Sequence, residues 1–153
     1  LKTGKKYRWS KQAVAEQNGR SLRMYLGEPE TMESWSLELP LRGTMELPAC
    51  SCSIAVEWNK NLRPNKNTRA VLDSDFLDNK TLVLRNRRDG DWFCLANAGR
   101  KKLSDYFIDE KIPLEKRDKI PLLAIGSQIL WIVGYRQCVA KGRGNVAVTL
   151  KKF

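Results

Sequence analysis

The sequence predicts an α+β domain, a mostly antiparallel or mixed, sandwich-like β structure with a helical insertion around residues 103–119. Three observations predict it. Short apolar–polar alternations recur along most of the chain, the period-two pattern of half-buried strands. Turn signals separate them: Asn18-Gly19, Arg42-Gly43, Asp89-Gly90 and Gly126-Ser127. A helix-spaced apolar stripe stands out in one segment, beginning at Leu103. A chain of 153 residues, 42 % of them hydrophobic, has enough apolar material for a packed core. We read residues 1–153 as one domain, with 1–69 as an N-terminal strand layer and 70–153 as the motif-bearing part.

The elements follow in order. Leu22, Met24 and Leu26 alternate with Arg23 and Tyr25, a strand entered from an Asn18-Gly19 hairpin turn. Trp35, Leu37 and Leu39 alternate next, and Arg42-Gly43 turns the chain into a short strand over 45–47. Cys50, Cys52, Ile54, Val56 and Trp58 share one strand face, with Ser51, Ser53, Ala55 and Glu57 on the other. Residues 59–68 are a polar, proline-containing loop, and 70–72 a short strand. Over 82–87 a longer strand turns Leu82 and Leu84 inward and Val83, Arg85 and Arg87 to the opposite face. A helix over 103–111 carries Leu103, Phe107 and Ile108 on its apolar stripe. Pro113 stops it and starts a second short helix over 114–119, where Glu115 and Lys119 are an i,i+4 pair. Strands over 122–125 and 129–135 pair around Gly126-Ser127, and the second, apolar on both faces, is central in its sheet. Val146, Val148 and Leu150 make a last alternating strand.

Charge narrows the function. Lys plus Arg number 28 against 17 for Asp plus Glu, a net of +11, which favours a polyanionic partner such as nucleic acid. No apolar run approaches the roughly 20 residues of a membrane helix, and no signal-peptide pattern is present, so we expect a cytoplasmic protein without a membrane partner. The first residue is Leu1, and the chain reads as a piece of a longer protein. Of the four cysteines, Cys50 and Cys52 form a C-x-C pair, but zinc sites usually add a second pair or histidines, and the chain has no histidine. The four are read as reduced thiols, with no metal site.

Candidate catalysts are scarce. Without histidine there is no His-based triad, and no G-x-x-x-x-G-K-[ST] loop cradles a phosphate. The Lys-Gly-Arg-Gly-Asn run at 141–145 reads as a basic hairpin turn. Asp89, Asp91, Asp105, Asp109 and Glu110 are read as solvated ion-pair partners, leaving no catalytic residue. The basic residues form the more specific constellation. Between Arg85 and Lys102 lie Arg85, Arg87, Arg88, Arg100, Lys101 and Lys102, against Asp89 and Asp91. Arginine forks suit bidentate phosphate contacts, and lysines act as point charges. A broad basic surface of this kind suits an RNA stem met through phosphates and 2′-hydroxyls. The bland alternative is that these are wet strand faces, with Arg85 paired to Asp91 to fix the turn. Trp92, Phe93, Tyr106 and Phe107 lie nearby, with core packing as their expected role and base stacking as the alternative.

The same segment resembles a known family, the C-terminal domain of tRNA(Ile)-lysidine synthetase. Residues 82–93 (LVLRNRRDGDWF) resemble its R-x-R-x-x-G-D entry, and Lys101-Lys102-Leu103 with Phe107 its K-K-L-x-x-x-F helix. Lys111-Ile112-Pro113, Arg117-Asp118 and Ile120-Pro121-Leu122 resemble its K-I-P…R-D-x-I-P-L segment, and ILWIVGYR at 129–136 its closing strand. The likeness covers about residues 70–137. Where the family has L-G-M-x-G, this chain has Leu95-Ala96-Asn97-Ala98-Gly99, keeping the last glycine.

The resemblance implies a non-catalytic tRNA-binding module of an ATP-dependent ligase. That enzyme attaches lysine to the wobble cytidine of the CAU-anticodon isoleucine tRNA, with ATP and Mg held in an N-terminal catalytic domain whose S-G-G-x-D-S type loop this sequence lacks. It implies a fold similar to a domain shared with the β-chain of phenylalanyl-tRNA synthetase, and contact with the acceptor stem. The implied partners are tRNA(Ile), the enzyme's own catalytic domain and a possible second copy. The candidate RNA contacts are Arg85, Arg87, Arg88, Arg100, Lys101, Lys102, Lys111, Arg117 and Arg136. The rival classes are a module that docks on a catalytic domain or a second subunit without touching RNA, and a free-standing basic RNA-binding protein.

Overall fold

The computed structural model of the protein describes residues 6–8, 13–18, 21–26, 34–40, 42–47, 52–58, 61–97, 99–138 and 144–152. In chain order the strands are β1 (Lys6–Arg8), β2 (Ala13–Asn18), β3 (Ser21–Leu26), β4 (Ser36–Glu38), β5 (Gly43–Leu47), β6 (Cys52–Trp58) and β7 (Arg69–Leu72). After helix α1 (Ser74–Leu77) come β8 (Val83–Arg85), β9 (Trp92–Cys94) and β10 (Arg100–Lys102). Helices α2 (Leu103–Asp109) and α3 (Leu114–Arg117) follow, then β11 (Leu122–Ile125), β12 (Gln128–Ile132), β13 (Arg136–Gln137) and β14 (Val146–Lys152).

Three sheets result. β1, β2 and β3 pair antiparallel, with Asn18 opposite Ser21; Gly19 of the expected turn lies outside the described residues. A seven-stranded sheet runs β10-β9-β12-β11-β8-β4, with β13 also on β12. Its β9–β12 pair is parallel and its other pairs are antiparallel, so the expected mixed sheet is found. A four-stranded antiparallel sheet runs β5-β6-β14-β7. The sheets do not divide the chain at residue 69. β4, from the first third, is an edge of the seven-stranded sheet, and β14, from the end, sits between β6 and β7.

Two cores make the layers. Between the four-stranded and seven-stranded sheets lie Ile54, Val56, Leu72, Val146 and Val148 against Leu82, Leu84, Leu123, Leu130 and Trp131. On the other face of the seven-stranded sheet, Phe93, Leu122, Ala124, Ile129 and Ile132 pack on Leu103, Tyr106, Phe107 and Ile112 of the helical insertion. A strand buried on both faces needs apolar residues at both parities, and β12 supplies them as the sequence predicts. Its alternation is broken by a bulge: Leu123 pairs Trp131 and Ala124 pairs Ile129, leaving Leu130 as the extra residue. Leu130 and Trp131 therefore share one core while Ile129 and Ile132 share the other. Trp131, fully buried, satisfies its indole N–H by donating to the Lys66 carbonyl at 2.8 Å.

Several local expectations change. In β6 the second face is covered too, since Ser53 and Ala55 are buried, whereas Trp58 at its end is 46 % exposed. The α2 stripe is Leu103, Tyr106 and Phe107; Ile108 faces solvent. α2 ends before Pro113, in a turn with Lys111 at φ 54° that bonds Lys111 N–H to the Ile108 carbonyl and Ile112 N–H to the Phe107 carbonyl. This is the Schellman pattern, sealed by Ile112 and Phe107 in one core. α3 ends at Arg117, leaving Lys119 outside it. A one-turn helix, α1, was not anticipated; the Asp73 carboxylate caps it by accepting from Asp75 N–H. Cys52 is disulfide-bonded, contrary to the expected reduced thiol, and Cys50 lies outside the described residues. Lys141 to Arg143 of the expected basic turn also lie outside them.

Cys94 and Cys138 are free thiols. Burial pushes Cys138 up to about 12 from 9.0, against the opposing charge of Arg136. The unfolded chain gives up this proton above about pH 9 and the folded chain keeps it. The thiol's share of stability is therefore full below pH 9 and is lost as pH rises toward 12. Tyr106, raised by burial and then by Glu110, acts in the same direction. Urea unfolding followed from pH 8 to pH 11 is expected to show stability falling above pH 9. Cys138→Val is expected to have a shallower fall; an unchanged slope would remove the thiol from the account.

Candidate nucleic-acid interface

The site is organised by a residue that does not reach the surface. Arg85 points from β8 away from Leu84 and is 2 % exposed. Its guanidinium grips Asp91 in a two-point fork, Nη1 to Oδ2 at 2.9 Å and Nη2 to Oδ1 at 2.8 Å. It also donates to the carbonyls of Asn86 and Gly126. Asp91 in turn accepts from Arg88 N–H at 2.8 Å, and its carbonyl accepts from Leu103 N–H at the start of α2. Arg85 is thus corrected from a candidate contact to an internal clasp, as the pairing alternative held. Gly90, at φ +86°, gives the tight turn between the partners its left-handed step.

Around this clasp a cavity of about 250 Å³ opens, lined by Arg87, Arg88, Asp89, Gly90, Asp91, Lys102, Leu103, Ser104 and Phe107. Three of the predicted cations meet there. Arg88 and Lys102 are exposed. Arg87 is half-buried and donates through Nε to Asp118 at 2.6 Å, one of its five guanidinium donors. Asp91 is neutralised from behind by Arg85, so Asp89 is the acid left to oppose these cations among the lining residues. The arrangement suits an anionic oxygen group. Ser104, which the sequence analysis passed over, adds a hydroxyl to the lining; its place one residue past Lys102-Leu103 was the available signal.

The other candidates disperse. Arg100 and Lys102 lie on one face of β10, and Lys101 on the opposite face, where its ammonium reaches Asp109 of α2 at 2.5 Å. Lys111 is exposed at the far end of α2, about 10 Å along the helix from Leu103. Arg117 is 4 % exposed, donates to the Ile112 carbonyl at 2.8 Å and stands 5.9 Å from the Phe107 ring, so it too is corrected to a structural residue. Arg136, on β13, is half-buried 5.3 Å from the Phe93 ring. Phe93 and Phe107 are fully buried and Tyr106 nearly so, which fits the core role expected of them. Trp92 is half-buried under the Arg100 guanidinium at 4.0 Å. At the tip of the β9–β10 hairpin, Leu95 N–H donates to the Gly99 carbonyl and Asn97 Oδ1 accepts from Gly99 N–H. Among the described residues no His, Cys, Asp and Glu group is placed to hold a metal ion.

Fold and site together define a layered α+β domain whose helix-bearing sheet presents a cationic corner. Residues 82–148 match the family model of the TilS substrate C-terminal domain, and this part of the chain belongs to that family. A tRNA(Ile)-lysidine synthase from Caldanaerobacter subterraneus is 59 % identical over 56 residues, 36 % of this chain and 12 % of that protein. A bifunctional TilS/HprT protein from Listeria monocytogenes is 32 % identical over 127 residues, 81 % of this chain and 19 % of its own length. The chain thus spans less than a fifth of these relatives. A crystal structure of a TILS C-terminal domain superposes with a TM-score of 0.59 at 27 % identity, covering 78 % of this chain and 95 % of that one.

Removing one partner of a buried ion pair leaves the other charge unpaired, at a cost of about 3–5 kcal/mol. Arg85→Ala is expected to lose stability on that scale in urea unfolding. Arg85→Leu combined with Asp91→Leu is expected to recover part of it, because no charge is then stranded. A loss under about 1 kcal/mol for Arg85→Ala would mean the clasp does not hold the corner.

Proposed function

We propose that this chain is the tRNA-holding C-terminal part of a tRNA(Ile)-lysidine synthase. The observation that carries the reading is the coincidence of the cationic corner, Arg87, Arg88 and Lys102, with the family-matched residues 82–148. In this reading the full enzyme spends ATP, with Mg, in a separate N-terminal catalytic domain to join lysine to the wobble cytidine of CAU-anticodon isoleucine tRNA. Residues 1–153 are one non-catalytic domain that holds the acceptor stem in the cytoplasm, with a fold like that of the phenylalanyl-tRNA synthetase β-chain domain. Arg87, Arg88, Arg100, Lys101, Lys102, Lys111 and Arg136 meet phosphates. Arg88, Arg100, Lys102 and Lys111 lead, since they are the exposed ones. Docking on the catalytic domain, or on a second copy, accompanies this role. Against docking as the sole role, the exposed large hydrophobic side chains among the described residues, Trp58, Ile108 and Tyr135, come from β6, α2 and the β12–β13 turn.

A salt titration tests the reading, with CAU isoleucine tRNA, its acceptor-stem minihelix and an unrelated tRNA as ligands. Affinity is expected to fall linearly on a log–log plot, and Arg88→Ala and Lys102→Ala are each expected to reduce the slope by about 1. Preference for the isoleucine minihelix would place selection in this domain; no binding at low salt would overturn the RNA role.

Lys111 gives a second check. Its φ of 54° lies where glycine is favoured, and an L-residue there costs about 1 kcal/mol. Lys111→Gly is expected to raise the unfolding midpoint in urea while weakening minihelix binding. Unchanged binding would remove Lys111 from the contacts.

A further inference from the structure

The structure assigns a nucleobase-stacking site to the Trp92–Arg100 pair, and its ligand is an unpaired nucleotide beside an RNA stem. The inference rests on the RNA reading above and adds a ligand class to it. The β9–β10 register sets Trp92 opposite Lys102 and Cys94 opposite Arg100. Trp92, Cys94, Arg100 and Lys102 therefore share one face of the hairpin, and Phe93 and Lys101 the other. Phe93 and Lys101 are used by the helical layer, one in its core and one on Asp109. Trp92 belongs to neither hydrophobic core and is half-buried, with the flat Arg100 guanidinium 4.0 Å from its ring centroid. Arg100 itself is exposed, and among the described residues β10 is the end strand of its sheet, with no strand paired to its outer edge.

A planar, weakly hydrated guanidinium backed by an indole is a surface on which a base lies flat. Bases inside a duplex are already stacked on both sides, so the base that uses it is an unpaired one. Lys102 joins this platform to the cationic corner, because it is the cross-strand partner of Trp92 and also lines the cavity with Arg88. Arg100 and Lys102 are two residues apart on one strand face, about 7 Å. A base on Arg100 and its phosphate at Lys102 place one nucleotide across that interval.

The test compares a blunt stem-loop RNA with the same stem carrying a short single-stranded overhang at either end, and with that overhang made abasic. The overhang is expected to tighten binding about tenfold, within the range of a base–aromatic stack. The abasic overhang is expected to bind as the blunt stem does. Trp92→Leu is expected to lose the overhang's gain while keeping blunt-stem affinity, and Trp92→Phe to keep most of the gain. Equal affinity of the native protein for blunt and overhanging stems, or a gain that survives removal of the bases, would overturn the site while leaving stem binding intact. Absence of binding to every RNA would overturn both readings.

Discussion

The clasp between Arg85 and Asp91 is the constraint on which the cationic corner depends. Both side chains are 2 % exposed, so each has left water, and the loss is offset only by complete pairing. The pairing is nearly complete: a two-point fork, two carbonyls for the guanidinium, and a backbone N–H for the carboxylate. These bonds, with that of the Asp91 carbonyl, tie three pieces of chain together. Gly126 ties the β11–β12 turn, Arg88 N–H ties the β8–β9 turn, and the Asp91 carbonyl holds Leu103 N–H. Arg88 and Lys102 are far apart in sequence and line one cavity because their neighbours Asp91 and Leu103 are bonded to each other.

The bulge in β12 explains why one sheet can carry two unlike layers. A regular strand would alternate strictly, and Ile129 and Ile132 would face opposite ways. The extra residue, Leu130, resets the parity within the strand. Trp131 is thereby sent to the sheet-on-sheet core, and Ile132 to the helix-on-sheet core beside Phe107. Tyr106 meets Phe93 edge to face at 5.4 Å, so the same layer that buries the helix also fixes β9. The aromatics that looked available for stacking are consumed in this packing, and Trp92, one residue along from Phe93, is on the other face.

Much of this was legible because period two and turn chemistry are local. β6, β7, β11, β12 and β14 lie where alternation places them, and β12 is central as its doubly apolar pattern requires. What was not legible depends on long-range pairing. Nothing local says that β4 leaves its neighbours to pair with β8, or that β14 enters between β6 and β7. The helix stripe was misjudged by one contact, because Tyr106 and Ile108 are both apolar enough to be buried and only the position of Phe93 decides between them. The strand over 82–87 made Arg85 look solvated, since alternation assigns a face without saying what covers it. Asp91, six residues away, was the visible clue.

Sorting the cations by what already holds them separates positioning from binding. A buried arginine with four of its five donors engaged inside the fold, such as Arg85, is committed to positioning, and a ligand would have to displace those partners. A half-exposed one tied by a single donor, such as Arg87 on Asp118, keeps the capacity to take a phosphate while staying oriented. Lys111 stands at the other extreme. The Schellman turn that ends α2 would be served better by glycine, and the lysine there spends conformational energy without improving the turn. In the proposed reading, a phosphate contact made by the Lys111 ammonium offsets that conformational cost. The lysine at this position and the net charge of +11 are both in keeping with the polyanionic partner proposed above.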